Sequence, residues 1–212
     1  MAIDLHTHYV PQGLVDELCK RTVPPFIKTN NDSTQTFHMP HGLLDFSTSF
    51  TDMEDRKNFM KSLEIEHQVL SFPGLFGVDS MVTEESFPLI QIFNDKVAEL
   101  CKASPDAFSG LAALPMADIN LAVQEYKRAR NDLGLIGAIL PNNCFISEEH
   151  ANTISPIFKI AQEIGGHIFI HPGRRPDEVP ESYQQSKPIF ADFLAERLAL
   201  SVQNNVSHCM VT

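Results

Sequence analysis

FSGLAALPMADINLAVQEYKRARNDLGLIGAILP, residues 108–141, holds in one stretch the rhythm that decides the fold. FSGLAALP is a short continuous apolar run and reads as a buried strand. Asp118 then caps an amphipathic helix, INLAVQEYKRARNDL, which Gly134 ends, and IGAILP reads as the next strand. Strands that are apolar throughout, joined by amphipathic helices, are the pattern of a parallel sheet buried on both faces.

The same rhythm extends in both directions. Upstream, AIDLHT (residues 2–7) reads as a strand, and Pro11 opens a helix with apolar spacing in GLVDELCKR. Thr51 or Asp52 caps a helix through MEDRKNFMKSLEI, HQVLSFP follows as a strand, and a helix runs from about Glu84 to Ala103. Downstream, ISPIFKIAQEI reads as a helix closed by Gly165 and Gly166, HIFIHP as a fifth strand, and residues 188–203 as a last helix after a polar, Pro-rich loop. Residues 22–51 break the pattern. Pro24, Pro25, Pro40, the cluster Asn30, Asn31, Asp32 and the alternating TQTFHM predict an inserted loop carrying a hairpin.

An open doubly wound sheet and a (β/α)8 barrel both fit this alternation. The first strand is not followed by GxGxxG, which removes support for a dinucleotide-binding sheet. The net charge of −11, with no bunching of Lys and Arg, argues against nucleic acid or anionic membrane as a partner. Cys19, Cys101, Cys144 and Cys209 fit neither a CxxC redox pair nor a zinc ribbon, so reduced thiols are expected. The N-terminus lacks the basic start and apolar run of a signal peptide, and a cytoplasmic setting is expected.

Chemistry concentrates at strand ends. His6 and His8 lie two apart on the first strand and so project to one side. His171 ends the fifth strand in the corresponding position. In a barrel the C-terminal strand ends carry the active site. Three neutral imidazoles converging there would make an open site for one divalent metal ion. The fourth strand ends IGAILPNN, with no Lys, Asp or Glu to bridge two ions, which favours a single metal. No metal role is expected for the remaining histidines: His67 and His167 begin their strands, His38 and His41 lie in the insert, His150 precedes a helix, and His208 follows the last one. Arg174 and Arg175 follow His171 directly. They are candidates to hold a substrate carboxylate, the alternative being a solvated loop. Asn142 and Asn143, after the fourth strand, read as a plain turn, the alternative being contact with substrate.

DLHTHYVP, then residues 106–140, then IFIHP, in that order, resemble the amidohydrolase-2 group, which includes 2-amino-3-carboxymuconate 6-semialdehyde decarboxylase and the resorcylate decarboxylases. The resemblance spans nearly the whole chain apart from the insert. It implies a (β/α)8 barrel with one divalent metal, zinc or manganese, held by His6, His8 and His171. It implies carboxy-lyase action on a small acidic, aromatic-derived or muconate-like compound, with hydrolysis of a C–N or C–O bond as the alternative. It also suggests a homodimer. Such barrels need about 250 residues, so residues 1–212 are expected to form a partial barrel domain of about five of eight β/α units. The catalytic base and a fourth, Asp ligand are then expected beyond Thr212, and an inactive barrel fragment is a further alternative. HPGRRP stands where some carboxymuconate decarboxylases continue HPW, which leaves the substrate open.

Overall fold

The computed structural model describes residues 2–40, 42–145 and 147–176. His41, His208, Cys209 and the helix expected over residues 188–203 lie outside them. Five strands, β1 (Ala2–His8), β5 (Ile65–Ser71), β6 (Phe108–Ala112), β7 (Gly137–Pro141) and β8 (His167–His171), form one sheet in the order β1-β5-β6-β7-β8. Every pairing in it is parallel. Helices α2 (Met53–Ser62), α3 (Thr83–Ala103), α4 (Ile119–Asn131) and α6 (Ser155–Ile164) alternate with these strands, and α1 (Gln12–Cys19) follows β1.

This sheet is strongly curled. In a flat sheet its two edges, β1 and β8, would lie four strand spacings apart, about 19 Å. Yet the rings of His8 on β1 and His171 on β8 are 4.7 Å apart, and those of His6 and Phe169 are 5.3 Å apart. Side chains of this size cannot span the flat distance, so the edges bend towards each other as in an arc of a (β/α)8 barrel. Ile3 and Leu5 on β1 and Ile170 on β8 are exposed at the two edges. Among the described residues no helix is long and apolar enough to cross a membrane, and Cys19, Cys101 and Cys144 form no disulfide.

Local chemistry sets the element boundaries. Asp52 is the cap of α2, its Oδ1 accepting from the N–H groups of Glu54 and Asp55. Asp118 caps α4 by accepting from Leu121 N–H, and beyond the helix Gly134 takes φ +73° so that the chain can turn back into β7. One helix is additional to the sequence reading. The short α5 (Glu148–Thr153) is capped by Ser147, and its sequence EEHANT has no apolar spacing to announce it.

Within residues 22–51 the structure has three strands where the sequence reading predicts a two-stranded hairpin: β2 (Phe26–Thr29), β3 (Gln35–Met39) and β4 (Gly42–Phe46), an antiparallel meander. Only β3 is long and alternating enough to be legible alone. An aromatic chain fastens this small sheet to the larger one. Phe37 packs on Phe76 at 4.4 Å, Phe76 on Phe72 at 5.6 Å, and Phe72 on Phe93 of α3 at 5.2 Å. Phe72 directly follows β5, so the meander is seated beside the C-terminal strand ends. Pro40 presses on Gly77, where any β-carbon would come within 2.6 Å of the proline ring.

Next to Phe93 on α3, a buried polar knot pins the helices. Asn94 of α3 donates to Ala113 O and accepts from Ala113 N–H, and it also donates to Glu125 of α4. Glu125 accepts in turn from the guanidinium of Arg128. Asn94→Ala would leave the buried Ala113 N–H and C=O without these partners and take one of its donors from Glu125. The substitution should lower unfolding stability by about 3 kcal/mol, measured as a reduced urea midpoint at unchanged slope.

Candidate metal centre

The last residues of the two edge strands build one site. His6 and His8 lie on β1 and His171 closes β8. The three rings meet edge to face, with centroids 4.7 to 5.0 Å apart. One ring nitrogen from each lies within 4.8 Å of the other two. Two Zn–N bonds of about 2.1 Å at a tetrahedral angle put their nitrogens about 3.4 Å apart. The Nε2 atoms of His6 and His8 are 3.2 Å apart, so the spacing suits a shared ion. Among the described residues no carboxylate or thiolate joins the group.

Hydrogen bonding fixes which nitrogens face inward. Ser71 Oγ gives its only proton to Thr7 O at 3.2 Å. Towards His8 Nδ1, 3.2 Å away, it can therefore only accept. His171 Nδ1 lies 2.9 Å from Pro172 O, which also can only accept. His171 is thus an Nδ1–H tautomer, and so is His8 with the Ser71 proton on Thr7 O; each then has an Nε2 lone pair for a ligand, the second-partner arrangement typical of metal-binding histidines.

Electrostatics keeps the His8 and His171 rings neutral. Burial, then the neighbouring His171 and His6, brings His8 down from its ordinary 6.5 to about 3. Burial brings His171 down to about 4, with His6 adding to the effect against the opposing hydrogen bond to Pro172 O. These two rings are uncharged at neutral pH, and a donor set of three imidazoles fits a divalent cation.

Around this centre the loops after two strands, β7 and β8, are tied together. Gly173 N–H donates to Asn142 Oδ1, Asn143 N–H to Gly173 O, and Arg175 Nη1 to Asn143 O. Asn142 and Asn143, read from sequence as a plain turn, bind the loop after β7 to the loop after β8. Arg174 is buried and Arg175 half-buried, which contradicts a freely solvated loop. The other described histidines stay apart from the centre. His67 is held by Asp106 O and Ser109 Oγ at the opposite strand end, His38 stacks on Phe26, and His150 faces Ser147 Oγ.

Sequence reasoning missed four residues here. Asp79, in the segment after β5, is buried beside Gly74, and burial raises its carboxyl to about 7. Nothing in VDS marks it. Asp4, Gln68 and Arg56 lie behind the HxH pair. Of these only Gln68, a polar residue inside an apolar strand, carries a sequence signal.

The family model described as Amidohydrolase matches residues 3–209. Over 176 residues, 81% of this chain and 49% of the relative, the chain is 27% identical to 2-amino-3-carboxymuconate-6-semialdehyde decarboxylase of Dictyostelium discoideum. Over 158 residues, 64% of this chain and 47% of the relative, it is 28% identical to gamma-resorcylate decarboxylase of Rhizobium radiobacter. The chain thus spans about half the length of the curated relatives it matches. Among solved structures, 5-carboxyvanillate decarboxylase of Novosphingobium aromaticivorans, complexed with manganese and 4-hydroxy-3-methoxy-5-nitrobenzoic acid, superposes with a TM-score of 0.61. That superposition covers 84% of this chain and 51% of the other at 19% identity, a likeness of fold.

The lowered histidines set a pH dependence. Between about pH 6.5 and pH 4 the unfolded chain binds protons that the folded chain refuses, so stability falls as pH is lowered through this window. Urea unfolding of metal-free protein from about pH 7.5 to about pH 5.5 should show midpoints that decrease below pH 6.5. In a His8→Asn, His171→Asn double variant the midpoint should no longer fall and should rise slightly, because the raised Asp79 carboxyl takes its proton in the folded chain over the same range.

Proposed function

Given that the chain belongs to the amidohydrolase family, matching it over residues 3–209, we propose that it is a metal-dependent carboxy-lyase acting on a small carboxylated aromatic or muconate-like acid. His6, His8 and His171 hold one divalent ion, zinc or manganese, and Arg174 and Arg175 receive a substrate carboxylate. The observation that carries this reading is the convergence of three imidazoles on one point, with the hydrogen bonds at His8 and His171 Nδ1 turning Nε2 towards it. The decarboxylases among the relatives, and the manganese bound in one structural neighbour, support the choice of chemistry.

A bound divalent ion would act as a Lewis acid on substrate oxygens. The protein's own groups do the rest. Ser71 and Pro172 O hold the Nδ1 protons of His8 and His171, so that neither ring can rotate its lone pair away. The guanidinium groups of Arg174 and Arg175 stay charged at every working pH and match a carboxylate in a planar, two-pronged contact. Phe169, whose ring packs on His6, supplies a flat apolar wall for an aromatic or conjugated substrate. In the reaction the bond to the carboxyl carbon breaks, its electron pair stays on the substrate carbon, a proton replaces the lost group there, and carbon dioxide leaves.

Carbon dioxide release from 2,6-dihydroxybenzoate, 5-carboxyvanillate and 2-amino-3-carboxymuconate 6-semialdehyde is the test. At least one should be turned over in a reaction abolished by chelation and restored by Mn2+ or Zn2+. Hydrolysis products without carbon dioxide would replace the carboxy-lyase reading with a hydrolase. His171→Asn should weaken Mn2+ binding by more than the roughly 100-fold that loss of an outer hydrogen-bond partner can cause, as measured by titration calorimetry.

A further inference from the structure

β1 does not pair evenly with β5. Asp4 stands opposite Gln68 and Thr7 opposite Leu70, so β1 carries one extra residue between these points. That bulge contains His6. Bulges re-aim side chains and interrupt the hydrogen-bond ladder, and here the interruption is repaired by side chains. Asp4 Oδ1 accepts from His6 N–H at 3.1 Å, and Asp4 Oδ2 accepts from Thr7 Oγ1 at 2.6 Å.

The repair is itself held from behind. Gln68 is almost fully buried. Its Nε2 donates to Asp4 Oδ2 at 3.1 Å, and its Oε1 accepts from Arg56 Nη1 at 3.3 Å. A carboxylate on one side and a guanidinium on the other leave the amide a single orientation. Arg56, from α2, donates through Nη2 to His8 O at 2.7 Å and to Ser49 O at 3.1 Å. One continuous network therefore grips the backbone N–H of His6 at one end and the backbone C=O of His8 at the other.

We propose that Asp4, Gln68 and Arg56 are a single positioning unit for the metal centre, which sets the spacing of the His6 and His8 nitrogens across the bulge without touching the ion. The inference rests on the metal reading above and deepens it. Apolar side chains would serve better if this layer only packed β1 against β5, because burying a polar chain of this kind gains little stability over well-packed hydrophobic residues. The Ser49 contact extends the same guanidinium to the end of the segment carrying the small sheet, so that segment and the first two histidines share one anchor.

The test uses the full 212-residue chain with Co2+ and Mn2+ as probes. Gln68→Met keeps the length of the side chain and removes both hydrogen bonds. Affinity for both ions should fall about 10- to 100-fold, by competition with a chromogenic chelator, and the visible spectrum of the Co2+-loaded chain should change. Far-ultraviolet circular dichroism of the metal-free chain should stay the same. Arg56→Met should behave likewise, and Arg56→Lys, which can still donate to His8 O, should recover part of the affinity. A folded Gln68→Met variant that binds both ions with the original affinity and spectrum would overturn the positioning role while leaving the metal reading intact. If Arg56→Met fails to fold, the Gln68→Met result decides alone. An unsubstituted chain that binds neither ion would overturn the metal reading and this proposal together.

Discussion

Two imidazole nitrogens 3.2 Å apart on one strand, with a third ring brought to them from the far edge of the sheet, form the contact on which the arrangement of this molecule turns. Neutral rings facing one another with lone pairs gain little by themselves. They gain a great deal once a cation stands between them. To bring them together the chain must curl a five-stranded sheet until its edges approach. Burial also lowers the proton affinity of two of the rings, which would favour a cation over a proton there.

Rigidity around that contact comes from polar ties as much as from the core. Ser71 joins the second strand of the sheet to His8 and Thr7. The Asn142, Asn143 and Gly173 ties join the loops after β7 and β8. The aromatic chain through Phe37, Phe76, Phe72 and Phe93 seats the small sheet beside the same strand ends. Each tie crosses between elements that follow different strands, so the mouth is fastened as one unit.

Features encoded by short-range pattern were legible in the sequence. The strand-end positions of His6, His8 and His171, the caps Asp52 and Asp118, and the turn at Gly134 depend on neighbours within a few residues. What was not legible depends on distance along the chain. Arg56 meets His8 across 48 residues, and Gln68 meets Asp4 across 64. No local signal predicts such meetings. β2 is too short to display a period of two and GLLDF in β4 does not alternate, so a three-stranded meander reads as a hairpin. Arg174 following His171 was visible as a charge near the site, but its burial was not, because burial depends on contacts outside its own stretch of sequence.

X-ray absorption at the zinc edge of the Zn2+-loaded chain tests the central claim most directly. Three imidazole nitrogens at about 2.0–2.1 Å around one ion per chain are expected, with the imidazole signal reduced by one ring in His171→Asn. An ion coordinated by sulfur, or by fewer than two imidazoles, would contradict the convergence of His6, His8 and His171 on a metal.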